Sequence, residues 1–171
     1  NITTLGSSVF TGCSSLTEIF IPKTLESVGY AFNGSGVVTA EFEYGMTVIP
    51  NGMFFGAGNL KNVTIPETVV TIGNNAFFNC TSLETIKLPQ YVTEIDWNAF
   101  RDCTSLKKIS MPNSITSMGT SLFSGCTSLE KVKLPNTITR LPNNTFTDCT
   151  SLTDIILPSS VIGIDSDAFR N

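Results

Sequence analysis

One phenylalanine recurs through the chain at Phe10, Phe32, Phe54, Phe77, Phe100, Phe123, Phe146 and Phe169, in steps of 22, 22, 23, 23, 23, 23 and 23 residues. The segments between them repeat too. "CTSLETIKLPQYVTEIDWNAFRD" from Cys80 is followed by "CTSLKKISMPNSITSMGTSLFSG" from Cys103, "CTSLEKVKLPNTITRLPNNTFTD" from Cys126 and "CTSLTDIILPSSVIGIDSDAFRN" from Cys149. A fixed period between 20 and 50 residues is the signature of an array of stacked units. Seven complete coils therefore start at Phe10, Phe32, Phe54, Phe77, Phe100, Phe123 and Phe146. A partial coil, 1–9, precedes them with Ile2, Leu5 and Val9, and Phe169 opens another.

Within the coil that starts at Phe77, the apolar positions are Phe77, Cys80, Leu83, Ile86, Leu88, Val92, Ile95 and Ala99. Ile86 and Leu88 alternate with Thr85 and Lys87, the period of a half-buried strand. Pro89 ends that strand because proline donates no hydrogen bond, and Pro22, Pro66, Pro112, Pro135 and Pro158 stand at the same place. "YVTEI" predicts a second short extended piece. "DWNAF" predicts a single helical turn capped by Asp96, with Asp165 as the equivalent cap in the last coil.

One coil cannot fold alone. About six inward side chains gain roughly 1.5–3 kcal/mol each, while ordering the backbone costs about 1–2 kcal/mol per residue over all 23. Stacking tips the balance, because each apolar position then rests on its equivalent in the next coil. The expected fold is one solenoid over residues 1–171, with right-handed coils, a parallel sheet on the concave face, and short second strands and helical turns on the convex side. The two shorter coils lose their residue in turns, near "GYAF" and "NGSG". The coil from Phe32 lacks both Cys and Pro, yet Val37, Ala40, Phe42, Met46 and Ile49 fill its apolar positions.

Composition narrows the function. Charged residues are 14%, with Ser, Thr and Asn in their place, and the net charge of −4 gives no field that would draw nucleic acid or an anionic membrane. No apolar run reaches 18 residues. There is no histidine, which leaves zinc without its usual ligand set and a cysteine nucleophile without its usual base. Cys13, Cys80, Cys103, Cys126 and Cys149 share one position of the coil and are expected to pack as buried free thiols, with Cys80, Cys103, Cys126 and Cys149 joining Phe77, Phe100, Phe123 and Phe146 in the core. Gly56-Ala57-Gly58 lacks the rest of a phosphate loop and reads as a turn. No catalytic set, metal site or cofactor site is expected. Sequons occur at Asn1, Asn33, Asn62, Asn79 and Asn143. The chain opens at Asn1, without a signal peptide, and reads as a segment of a longer array.

The pattern carried by Cys80-Thr81-Ser82-Leu83, Ile86, Leu88-Pro89, Val92-Thr93, Ile95 and Ala99-Phe100 resembles the BspA-type leucine-rich repeat. The resemblance implies a leucine-rich horseshoe at a cell surface or secreted, acting as an adhesin toward an extracellular protein or glycan. The alternative is a structural spacer, or an array that associates end to end, without a specific ligand.

The shared residues are the buried ones, so any ligand must read the variable ones. Phe20, Glu41, Thr64, Lys87, Ser110, Lys133 and Ile156 fill the outward position beside the strand's last apolar residue. Glu18, Thr39, Asn62, Thr85, Lys108, Lys131 and Asp154 fill the one before Ile86. Six of the seven lysines fall in strand segments. Candidate binding residues are Phe20, Thr64, Thr85, Lys87, Lys108, Ser110, Lys131, Lys133 and Ile156. The strip either solvates an open sheet or steers an acidic partner onto it. It lacks the interleaved aromatics of a nucleic-acid site.

Overall fold

A computed structural model describes all residues, 1–171. Each coil contributes to two ladders of parallel strands. The first is made of β2 (Glu18–Ile21), β4 (Thr39–Phe42) and β6 (Asn62–Thr64), then β9 (Lys108–Ser110), β11 (Lys131–Lys133) and β13 (Asp154–Ile156). The second is made of the shorter β1 (Thr4–Leu5), β3 (Ser27–Val28), β5 (Val48–Ile49), β7 (Thr71–Ile72), β8 (Glu94–Ile95), β10 (Ser117–Met118), β12 (Arg140–Leu141) and β14 (Gly163–Ile164), paired as β1–β3, β5–β7–β8–β10 and β12–β14. Register follows the repeat, with Val132 beside Ile109 and Ile155, and Ile72 beside Ile49 and Ile95.

The interior is one cluster of 41 buried side chains. At its centre the phenylalanines form a column. Phe77 and Phe100 stack with ring centroids 5.3 Å apart, Phe100 and Phe123 5.8 Å, and Phe123 and Phe146 5.6 Å. Phe32 through Phe146 are fully enclosed, whereas Phe169 is 38% exposed. Hydroxyls staple the coils from outside: Thr24 donates to the Ile2 carbonyl, Thr68 to Met46, Ser114 to Val92 and Thr137 to Ile115. These neutral groups take the place of the missing charges, and each is set within one coil-spacing of its acceptor.

The expected helical turns are absent. At 97–102 the amides alternate between two acceptors: Asn98, Phe100 and Asp102 donate to Thr120, Leu122 and Ser124 of the next coil, while Arg101 donates back to Asn98. Two residues per coil, four apart, take positive φ, such as Asn98 (57°) and Asp102 (59°), or Asn144 (57°) and Asp148 (58°). A left-handed residue every fourth position cannot continue a right-handed helix. Asp96 accordingly caps nothing; partial burial and neighbouring Glu94 raise its carboxyl above the ordinary value. Asp165 likewise is no cap, and accepts from the Arg140 guanidinium instead. Gly56-Ala57-Gly58 does form a turn, with Ala57 buried in the cysteine position.

A second correction concerns the coil from Phe77. Its expected long strand is interrupted. The segment 84–88 makes one isolated parallel bridge, Thr85 to Lys108, and one bond across, from the Lys107 amide to the Glu84 carbonyl at 3.1 Å. The first ladder therefore falls into two three-stranded sheets on either side of it. The same coil remains tied by β7–β8 pairing and by Phe77 donating to the Ala99 carbonyl at 2.8 Å.

Candidate ligand-binding face

The buried cysteines are structural donors. Cys80 Sγ lies 3.2 Å from the Phe54 carbonyl, and Cys103, Cys126 and Cys149 lie 3.1 Å from those of Phe77, Phe100 and Phe123. Each thiol thus reaches the phenylalanine of the preceding coil, and all are free. Burial pushes them far from reactivity: Cys149 rises to about 12, and Cys80, Cys103 and Cys126 are also raised. Cys13 departs from the expectation. It is exposed, because the residues before it do not form a complete coil to cover that position.

A second aromatic stack, Tyr30–Phe55–Phe78, ends under the Arg101 guanidinium, 5.8 Å from the Phe78 centroid. Tyr30 reaches Phe55 by lying across Gly52, where a Cβ would sit 2.5 Å from the ring. The Phe55 and Phe78 faces are occupied by each other at 4.8 Å, so this stack braces the turns and offers no free ring face between them.

The long-strand face is different. Strand alternation turns its variable residues outward, and pairing aligns them in rows. Phe20, Glu41 and Thr64 form one row; Thr85, Lys108, Lys131 and Asp154 form another; Ser110, Lys133 and Ile156 form a third. Phe20 and Ile156 are 57% and 78% exposed. Lys108 and Lys131 stand directly opposite each other on adjacent strands, an arrangement that costs stability for like charges. Lys131 is drawn to Asp154 at 2.5 Å and Lys87 to Glu67 at 3.4 Å. Lys108 and Lys133 have no acidic partner within ion-pair distance.

Six of the nine candidate residues, Thr85, Lys87, Lys108, Ser110, Lys131 and Lys133, line a single hollow of about 590 Å³. Phe20 and Thr64 lie outside it, on β2 and β6 beyond the interrupted coil, and Ile156 is beside its rim, next to Lys133. The structure adds residues that sequence reasoning passed over. Ile86, Leu88, Ile109 and Met111 border it from the core side, none more than 8% exposed, and Gln90, Pro112 and Asn113 close one end. All four belong to the core cluster, as strand alternation expects of Ile86 and Leu88. The signal for Gln90 and Asn113 was their place directly after the proline that ends the strand.

Two sets of parallel strands, one column of stacked side chains and a leucine at one position of every coil, Val37 excepted, define a leucine-rich-repeat β-solenoid of about seven turns. The chain belongs to the BspA-type leucine-rich repeat family, whose model matches residues 1–96 and 47–171 in six copies. Among solved structures, a leucine-rich repeat protein from Bacteroides ovatus is 30% identical, superposes with a TM-score of 0.84, and is matched over 96% of this chain and 44% of its own. The leucine-rich repeat protein of T. pallidum is 27% identical with a TM-score of 0.73, over 86% of this chain and 66% of its own. The pneumococcal vaccine antigen PcpA, 20% identical with a TM-score of 0.59 over 97% of this chain and 55% of its own, shares the fold. The chain thus spans roughly half to two thirds of these relatives. Among curated proteins, no sequence relative reaches significance.

Proposed function

We propose that the chain is a non-enzymatic recognition module, displayed at or released from a cell surface, that holds an acidic extracellular ligand on its concave sheet. The observation that carries this reading is the hollow of about 590 Å³ under four lysines, two of them in register with each other. Lysines placed only for solubility gain nothing from facing one another, since interspersed acids would solvate the sheet without the repulsion. A surface that binds anions benefits from the crowding, because the ligand relieves it. Family membership agrees with a protein-interaction role, and no helix is long and apolar enough to cross a membrane.

The test is adsorption to a panel of immobilised extracellular-matrix proteins and acidic glycans, measured for the natural chain and for Lys87→Glu/Lys108→Glu/Lys131→Glu/Lys133→Glu. Binding that weakens with salt in the natural chain and disappears in the variant, with circular dichroism unchanged, is the expected result. A variant that binds the same ligand as tightly as the natural chain would remove the concave face from the function.

A further inference from the structure

The interruption of the sheet coincides with the hollow. Backbone pairing of Glu84 to Leu88 is reduced to the isolated bridge between Thr85 and Lys108 and the bond from the Lys107 amide to the Glu84 carbonyl. Neighbouring coils satisfy the same groups: Asn62 donates to Val38, Lys131 to Lys107, and Met111 to Lys133. Sequence length does not explain the gap, because the coil has the regular 23 residues and its "SLETIKLP" is close to the "SLEKVKLP" two coils on, which pairs fully. One staple is also missing. Tyr91 stands where Thr68, Ser114 and Thr137 donate a hydroxyl to the coil before.

Thr85, Ile86, Lys87 and Leu88, the residues of this under-paired stretch, line the hollow together with Lys108 and Lys133. Weakly paired amide donors beside unpaired ammonium groups are the chemistry of carboxylate recognition. The exposed edges of Ile86 and Leu88, 8% and 7%, give the hollow a shallow apolar floor against which one side chain can rest. No aromatic residue lines the hollow, so a sugar ring finds no face to stack on. Lys108 and Lys133 lie one strand and two residues apart, about 8 Å between Cα atoms from strand spacing and rise. That suits two separate acidic side chains better than one.

Resting on the recognition role proposed above, we infer that the interrupted coil is a docking notch for an extended acidic peptide. Two carboxylates of the peptide engage Lys108, Lys133 and the amides of 85–88, and an apolar side chain between them rests on the floor. In an extended peptide, residues two apart point the same way, so the motif is acidic-x-apolar-x-acidic. Its acids lie about 13 Å apart, a span that Lys108 and Lys133 reach with their side chains splayed outward.

The test uses a fluorescent peptide containing Glu-Ser-Leu-Ser-Glu, titrated into the natural chain with amide NMR spectra recorded in parallel. The notch predicts saturable binding with the largest amide shifts at 84–88. It also predicts about tenfold weaker binding when the peptide's Leu becomes Ser, and at least as large a loss in Lys108→Gln/Lys133→Gln. The distant Lys23→Gln should bind as the natural chain does. Loss in the double variant without shifts at 84–88 would leave the electrostatic face standing and overturn the notch. A sulfated oligosaccharide that binds more tightly than the peptide, through the same lysines, would overturn the peptide as occupant. Absence of saturable binding by the peptide overturns the inference outright.

Discussion

The phenylalanine column and the lysine face run through the same coils under opposite rules. Down the column, the same residue recurs because each ring is the packing surface for the next. Across the face, residues change from Glu18 through Lys131 to Asp154, and adjacent positions even repel. What is repeated holds the coils together, and what varies is left free to be read by a partner. The cysteines follow the first rule, since each thiol serves the carbonyl of the coil before it.

Several measurements can break or sharpen that division. The largest effect is expected in the column. Phe100→Ala should lower unfolding free energy by roughly 3–5 kcal/mol, whereas Phe169→Ala, at a position already 38% exposed, should cost under about 1.5 kcal/mol. Urea titration of both variants compares them directly, and equal costs would contradict a shared column.

The thiols come next. Cys149 rises from an ordinary 9.0 to about 12 in the folded chain, through burial. The unfolded chain ionises first, so this contribution is intact below pH 9 and is lost as pH climbs through the window from 9 to 12. The slope is about 1.4 kcal/mol per pH unit. Chemical denaturation between pH 8 and 10.5 should therefore show a shallower decline in Cys149→Ser than in the natural chain. Alkylation of native protein should mark exposed Cys13 and spare the other four until the chain unfolds.

Smaller still is the cost at the left-handed turns. Asn98→Ala should destabilise by roughly 1–2 kcal/mol, while Asn98→Gly should be close to neutral, because only the Cβ makes φ near 57° costly.

The fold's repeat, its apolar positions and its strand register were all legible, since an interior copied seven times leaves the same residues at the same spacing. The turns were not. "DWNAF" carries a plausible cap and two apolar residues, which suggested a helix. The stronger signal was the run of Asn, Asp and Gly at Gly12, Gly34, Gly56, Asn79, Asp102, Gly125 and Asp148, all of which take positive φ. The outward lysines were found because strand alternation fixes where they point. The hollow beneath them was hidden: it coincides with a strand that keeps only one bridge at 84–88, in a segment whose residues match those of coils that do pair.

The face supplies the most direct test, because its residues, whose ion pairs across coils are solvent-exposed, should contribute little to holding the coils together. Lys108→Glu removes a like-charge contact with Lys131, and its midpoint in urea or heat should match the natural chain or rise by about a degree. A midpoint that falls by as much as those of the column variants would show that the face belongs to the scaffold, contradicting the separation between what packs and what binds.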